Sequence, residues 1–225
     1  HPHMASNEDP AVSPALARHL SPDRVLAFTD GTVAIIITIL VLDIRVPDLA
    51  AGASLADAMT EVWPTLVSWV VSFLLVGMYW LWHRGVFADV RFVDLNLAWL
   101  NLIFLLFLAL VPFGASTLGE HSEEPVALHI YGLILSAVTL ARFLINTYLN
   151  RHPDLLFDPK NRRSKQTSSV AAAMPLVIYI VAMIVADWAP ELSLLLFFAV
   201  PALYFGFIAF LKSDPKTSAD SQSIS

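Results

Sequence analysis

Six long apolar stretches, separated by short polar links, dominate the chain. Their pattern predicts helices near Val25–Ile44, Val62–Trp82, Leu95–Phe113, Val126–Asn146, Val170–Ala186 and Leu192–Leu211. At about 20 residues, each is long enough to cross a hydrocarbon core roughly 30 Å thick. The runs are continuous, whereas the strands of a membrane barrel alternate apolar and polar residues. The fold class predicted is therefore all-α, a bundle of six transmembrane helices.

The first helix carries the most chemistry. It opens at Arg24-Val25-Leu26-Ala27-Phe28-Thr29-Asp30-Gly31 and continues as Thr32-Val33-Ala34-Ile35-Ile36-Ile37-Thr38-Ile39-Leu40-Val41-Leu42. A carboxylate inside a membrane span is costly without a partner and marks a candidate site. At about 100° per residue, Ile35, Ile39 and Leu42 form one narrow stripe flanked by Phe28, Gly31, Thr32 and Thr38. Such a stripe either packs on another helix or lipid, as in most membrane helices, or surrounds a pore as a hydrophobic constriction. A charged entrance followed by an aliphatic run with sparse hydroxyls suits a pore lining better than an enzyme site.

Asp30 lies about 140° from Ile35, away from the stripe, and about 120° from Arg24, so the two charges form no i,i+4 pair. If buried, each needs partners on other helices, and His83, Asn96 and Asn101 lie at suitable depths for them. Three readings stay open: a structural polar network, direct ion binding, or a proton relay through Asp30 and a histidine. Thr38 either bonds back to the carbonyl of Ala34 or lines a pore and touches ions.

Composition agrees with a membrane setting. Of the 225 residues, 57% are hydrophobic and 14% charged, and the mean hydropathy is +0.67; soluble domains average about 45–50% apolar and about 25% charged. Charge placement sets the topology. Arg18, Arg24, Arg84, Arg91, Arg151, Lys160, Arg162, Arg163, Lys165, Lys212 and Lys216 fall on one side, and only Arg45 is counted on the other. Loops on that other side carry Asp48, Asp57, Glu61, Glu120, Glu123, Glu124, Asp187 and Glu191. Positive charge marks the cytoplasmic side, which puts both termini inside.

Trp63, Trp80, Trp82, Trp99 and Trp188 fall near span ends, as an interfacial aromatic belt requires, while Trp69 lies deeper as a packing residue. Pro64, Pro112, Pro175 and Pro201 sit in or near spans, where neighbours can satisfy the freed carbonyls. Residues 1–20 read as a flexible segment in which His1-Pro2-His3 looks like a cloning remnant, with no cleavable leader ahead of the first span. Residues 21–212 read as the membrane domain and 213–225 as a disordered cytoplasmic tail.

Several classes are disfavoured. Cysteine is absent, so disulfides, thiolate metal sites and cysteine nucleophiles are excluded. No phosphate-binding, dinucleotide-binding or zinc-protease motif occurs. His121 and His129 flank an acidic loop but match no familiar metal spacing, and no metal site is expected. The basic run Lys160–Lys165 is short and juxtamembrane, which suits anionic lipid rather than nucleic acid. No internal repeat supports an inverted-repeat transporter.

The run Arg24-x-x-x-Phe28-Thr29-Asp30-Gly31, followed by Ala34-Ile35-Ile36-Ile37-Thr38-Ile39-Leu40-Val41-Leu42-Asp43-Ile44, resembles the first-helix signature of the transmembrane protein 175 family of potassium channels. Thr29 stands for the usual serine and keeps its hydroxyl, Val33 stands where an aromatic is common, and Ile39 where leucine is usual. The resemblance implies a homotetramer in a prokaryotic plasma membrane, with four first helices around a potassium-permeable pore. It implies Ile35, Ile39 and Leu42 as the constriction and Thr38 as the hydroxyl layer tied to potassium preference. Arg24, Phe28, Thr29 and Asp30 would be a structural motif. Lipid and monovalent cations are the implied partners, with no cofactor beyond the permeating potassium. The competing reading is a proton-coupled secondary transporter using Asp30; a membrane enzyme has little support.

Overall fold

The computed structural model describes residues 20–45, 48, 52, 54–160 and 169–213. The flexible segment and tail expected at residues 1–19 and 214–225, and the basic residues Arg162, Arg163 and Lys165, lie outside the described residues. Helix α1 spans Pro22–Leu40 and ends in a 3-10 turn over Val41–Asp43; α2 spans Leu55–Phe87, α3 Leu95–Leu108, α4 Val111–Glu120 and α5 Pro125–Arg151. Helices α6 (Ser169–Ala186) and α7 (Pro190–Ser213) complete the order. Counting α3 and α4 as one broken span, the six expected spans are all present, four of them long and apolar enough to cross a membrane.

Boundaries shift for local reasons. Helix α2 starts seven residues before the expected Val62 because Ser54 and Asp57 form a reciprocal capping box: the Asp57 amide donates to Ser54 Oγ at 3.2 Å and the Ser54 amide to Asp57 Oδ2 at 3.4 Å. Its 33 residues extend about 50 Å at 1.5 Å per residue, well past the hydrocarbon core. Pro64 lies in the first third of that helix without ending it. In the third span, Ala109 and Leu110 separate α3 from α4, where Pro112 in the first turn of α4 supplies no amide for a continuous ladder. Asp94 caps α3 by accepting from the Leu97 amide at 2.8 Å.

Helices α2 and α5 form the centre. Leu75, Val76, Tyr79, Phe104, Leu128, Tyr131, Leu135 and Val138 are all fully buried there. Small residues allow close approach where helices cross. A Cβ added at Gly119 would come within 3.0 Å of the Thr65 backbone, and one at Gly132 within 2.5 Å of Met183 Cγ. Hydroxyls on α2 bond across these crossings: Ser68 to the Ala115 carbonyl at 2.7 Å, Ser72 to Tyr131 at 2.8 Å, and Tyr79 to Thr139 at 2.7 Å and to Tyr179 at 3.1 Å.

The basic end of the bundle is tied together by backbone bonds. Leu20, just before α1, pairs with Val93, and Val90 pairs with Leu156. The Arg91 amide donates to the Leu155 carbonyl at 2.8 Å. The loops after α2 and α5 thereby fix where α1 begins.

Candidate functional site

Helix α1 has two faces of opposite fate. Thr29, Val33, Ile36 and Leu40 are buried against α2, α3 and α4. The opposite face is apolar and uncovered within the protomer: Phe28 is 58% exposed, Ile35 60%, Ile39 43% and Leu42 66%. Ile35, Ile39 and Leu42 thus share the face that the wheel assigned to them, and Thr38 is exposed beside them. The Thr38 hydroxyl lies 3.0 Å from the Ala34 carbonyl and 2.9 Å from that of Ile35. Its proton is spent on the helix's own backbone, which leaves the lone pairs of Oγ1 to accept from outside. Thr32 does the same, donating to the Phe28 carbonyl at 2.9 Å.

Near the start of α1 the polar residues sort into two separate clusters. Asp30 accepts the indole N–H of Trp80 at 2.8 Å on Oδ1 and a guanidinium N–H of Arg84 at 3.2 Å on Oδ2. Arg84 also lies over the Trp80 ring, 5.4 Å from its centroid, so carboxylate, indole and guanidinium form one closed group. Trp80 and Arg84 are both on α2, four residues apart, and so share a face. Asp30 therefore has partners other than the expected His83, Asn96 and Asn101. No hydrogen bond joins Asp30 to a histidine among the described residues.

The second cluster belongs to Thr29. Asn101 Nδ2 donates to Thr29 Oγ1 at 3.1 Å, and Asn101 Oδ1 faces His83 Nε2 at 2.7 Å. Because that amide oxygen can only accept, the imidazole proton is assigned to Nε2. His83 is fully buried, stacked on Phe87 and Phe104 at 4.2 and 5.7 Å, and Nδ1 has no partner. A second ring proton would find no acceptor there, so this geometry suits a neutral structural histidine. Asn96 stands apart, donating to Tyr148 at 3.3 Å. Arg24 is exposed and makes no side-chain bond among the described residues.

Sequence reasoning missed three contributors. Trp80 reads as an interfacial ring by position, yet its N–H is committed to Asp30. Arg84 reads in the sequence only as a positive charge. Arg142 has no place in the sequence reading: it lies within α5, nearly buried, with its guanidinium 5.3 Å from the Trp82 ring centroid. A lone arginine inside an apolar run was the available signal. Trp63, Trp99 and Trp188 remain 65%, 59% and 79% exposed, as a belt requires.

Six spans around an apolar core crossed by a few buried hydrogen bonds define a multi-pass α-helical membrane protein, and its first helix presents an apolar face that the protomer leaves uncovered. The family model of the endosomal/lysosomal potassium channel TMEM175 matches residues 24–112, which hold both clusters and the stripe. The chain is 40% identical over 141 residues to a potassium channel of Streptomyces collinus, covering 61% of this chain and 68% of that one. It is 32% identical over 117 residues to the endosomal/lysosomal proton channel TMEM175 of Gallus gallus, covering 48% of this chain and 23% of the relative. Its fold is similar to the crystal structure of a lysosomal potassium-selective channel TMEM175 homolog from Chamaesiphon minutus, with a TM-score of 0.71 and 26% identity over 83% of this chain and 96% of that one. The chain belongs to the TMEM175 family. These relatives are channels, not enzymes.

Proposed function

We propose that this protein is a potassium-permeable cation channel in which four copies surround a pore lined by α1. The observation that carries the reading is the uncovered stripe of Ile35, Ile39 and Leu42, on a helix whose opposite face of Thr29, Val33, Ile36 and Leu40 is buried. An apolar face can be left to lipid, but here it borders an exposed threonine whose oxygen, its proton given to the backbone, can still accept. Four such helices would bring rings of aliphatic side chains together. Rings of this kind give a passing ion no oxygen in place of its hydration shell and resist wetting when narrow, which makes them a gate. Four Thr38 hydroxyls would supply weak oxygen contacts that favour the ion shedding water more readily, potassium over sodium.

The basic end is assigned to the cytoplasm, with both termini inside and the bilayer that of a prokaryotic cell. The closed Asp30–Trp80–Arg84 group and the Thr29–Asn101–His83 cluster serve to hold α1 on α2 and α3, so permeating ions need not touch them.

A potassium-gradient flux assay in proteoliposomes, with mass measurement in nanodiscs, tests this reading. Wild-type protein should pass potassium without a coupling ion and weigh as a tetramer. Ile35→Ala and Ile39→Asn should each raise leak about ten-fold, as removal of about 1.4 kcal/mol of barrier would do, and Thr38→Ala should lower potassium-over-sodium preference with conduction kept. Unchanged leak and selectivity in all three would place the pathway on another helix. Flux that requires a proton gradient would favour a proton-coupled transporter instead.

A further inference from the structure

Beside the aliphatic stripe, α1 carries a second hydroxyl on the basic side of Ile35. Thr32 and Thr38 each stand three residues from Ile35, one toward the basic end and one toward the acidic end. At about 100° and about 1.5 Å per residue, they lie about 60° to either side of Ile35 and about 4.5 Å before and after it along the axis. Thr32 gives its proton to the Phe28 carbonyl at 2.9 Å, so its Oγ1, like that of Thr38, keeps lone pairs that can only accept. The two levels differ in width. Thr38 is followed by Ile39, whereas Thr32 is preceded by Gly31, which is exposed and would have nothing within 4 Å of an added Cβ. A glycine inside a helix weakens it, and no close contact within the protomer requires this one.

We infer that Thr32 is a second ion-holding residue of the pathway, where a monovalent cation rests, still hydrated, on the cytoplasmic side of the Ile35 ring. The inference rests on the four-fold channel proposed above, in which four Thr32 oxygens and the space beside four Gly31 residues share one level. Conduction needs sites favourable enough to enter and weak enough to leave, and an aliphatic ring offers neither oxygen nor water. The shell of a hydrated cation turns its protons outward, and an oxygen that can only accept is the matching lining. The missing side chain at Gly31 leaves room for that shell. Thr38, beside Ile39, has less room, so water is shed in the passage of about 9 Å from one hydroxyl level to the next. Thr32 thus holds the ion ahead of the gate, and Thr38 meets it beyond.

Current recordings from inside-out and outside-out patches of bacterial spheroplasts expressing the full chain test the assignment, with potassium varied on one face at a time. Thr32→Val keeps the branched shape and removes the oxygen. It should raise the half-saturating potassium concentration on the cytoplasmic face about three-fold, as loss of weak neutral oxygen contacts would do, and leave the value on the opposite face unchanged. Thr32→Ser keeps the hydroxyl and should match the wild type. Three results each overturn the assignment: wild-type half-saturation in Thr32→Val, a shift in Thr32→Ser as large as that in Thr32→Val, or an equal shift on both faces. A wild type that carries no potassium current overturns the channel reading and this assignment with it, whereas wild-type current with an unaltered Thr32→Val overturns the assignment alone. Should Thr32→Val fail to assemble, Gly31→Ala carries the test. Its methyl groups narrow the same level and should raise the cytoplasmic half-saturating concentration, and an unmoved value there overturns the site.

Discussion

The two ends of α1 hold aspartates in opposite ways. Asp30, at the basic end, is gripped directly by an indole N–H at 2.8 Å and a guanidinium at 3.2 Å, and the adjacent Thr29 is bonded into a buried trio. Asp43, at the acidic end, makes no side-chain hydrogen bond among the described residues, and the indole N–H of Trp69, which lines the same hollow, has no protein acceptor. Similar chemical partners, carboxylate and tryptophan, are in contact at one end and separated at the other. Local bonding in proteins ranges from firmly closed to easily opened, and moving elements come from the loose end of that range. The difference makes the basic end of α1 an anchor of direct side-chain bonds, whereas no such bond holds Asp43 at its acidic end.

The firmest part of the anchor gives the largest expected effect. Asn101→Leu would leave His83 Nε2–H and the Thr29 hydroxyl without partners in an apolar surround. Interhelical hydrogen bonds in membranes contribute modestly, averaging about 0.6 and reaching about 1.7 kcal/mol, but an orphaned buried donor adds a cost of its own. A loss of about 1–2 kcal/mol is expected, read as a lower melting temperature of the assembled protein in detergent. Asn96→Leu, which disturbs only an exposed contact to Tyr148, should move that temperature far less. Equal shifts in the two variants would mean that the buried trio anchors nothing.

The anchor was only half legible in the sequence. Everything local could be read: the apolar period of α1, the faces of its wheel, and the charge sidedness that assigns its ends. Partners on other helices could not be read, because a helix's own period says which face a residue occupies but not what faces it. Asp30 and Trp80 are 50 residues apart, and Trp80 carries the same positional signal as the exposed rings Trp63 and Trp99. His83 and Asn101 were singled out as polar residues at the right depth, and only the geometry shows that they serve Thr29 rather than Asp30. Arg142 escaped notice because one charge scarcely changes the mean of a long apolar window. The break between α3 and α4 was invisible for a similar reason, since Pro112 is often tolerated inside a span. The stripe is a different case: one protomer leaves it uncovered, and its role depends on what other copies place against it.

Asp30→Asn sharpens the comparison at intermediate size. The amide oxygen can still accept the Trp80 N–H, while the charge toward Arg84 is lost. Because that ion pair is partly open to solvent, with side chains 54% and 36% exposed, its direct contribution is small. A destabilisation of about 0.5–1 kcal/mol is expected, a typical net value for one intramolecular hydrogen bond. Assembly should suffer more than ion preference does. A variant that assembles as the wild type but discriminates potassium from sodium differently would move Asp30 from the anchor to the ion pathway.

The smallest effect belongs to Arg84→Gln, and it separates the two contacts of Asp30. Removing the guanidinium leaves the Trp80–Asp30 bond intact and gives up an exposed pair that contributes less than about 0.5 kcal/mol by general experience. Ionic strength distinguishes that term from the indole bond. Raising salt from 0.1 M to 1 M shortens the screening length from about 10 Å to about 3 Å, so the wild type should lose the increment that the variant already lacks. The gap in melting temperature between wild type and Arg84→Gln should therefore close at high salt. The gap for Trp80→Phe, which removes a neutral donor at 2.8 Å, should persist. If the Arg84→Gln gap is instead the larger and survives 1 M salt, the charge pair carries the anchor and the indole N–H is secondary. The contrast with Asp43 would then turn on the lack of an ion pair at that end, not on the lack of a direct tryptophan contact.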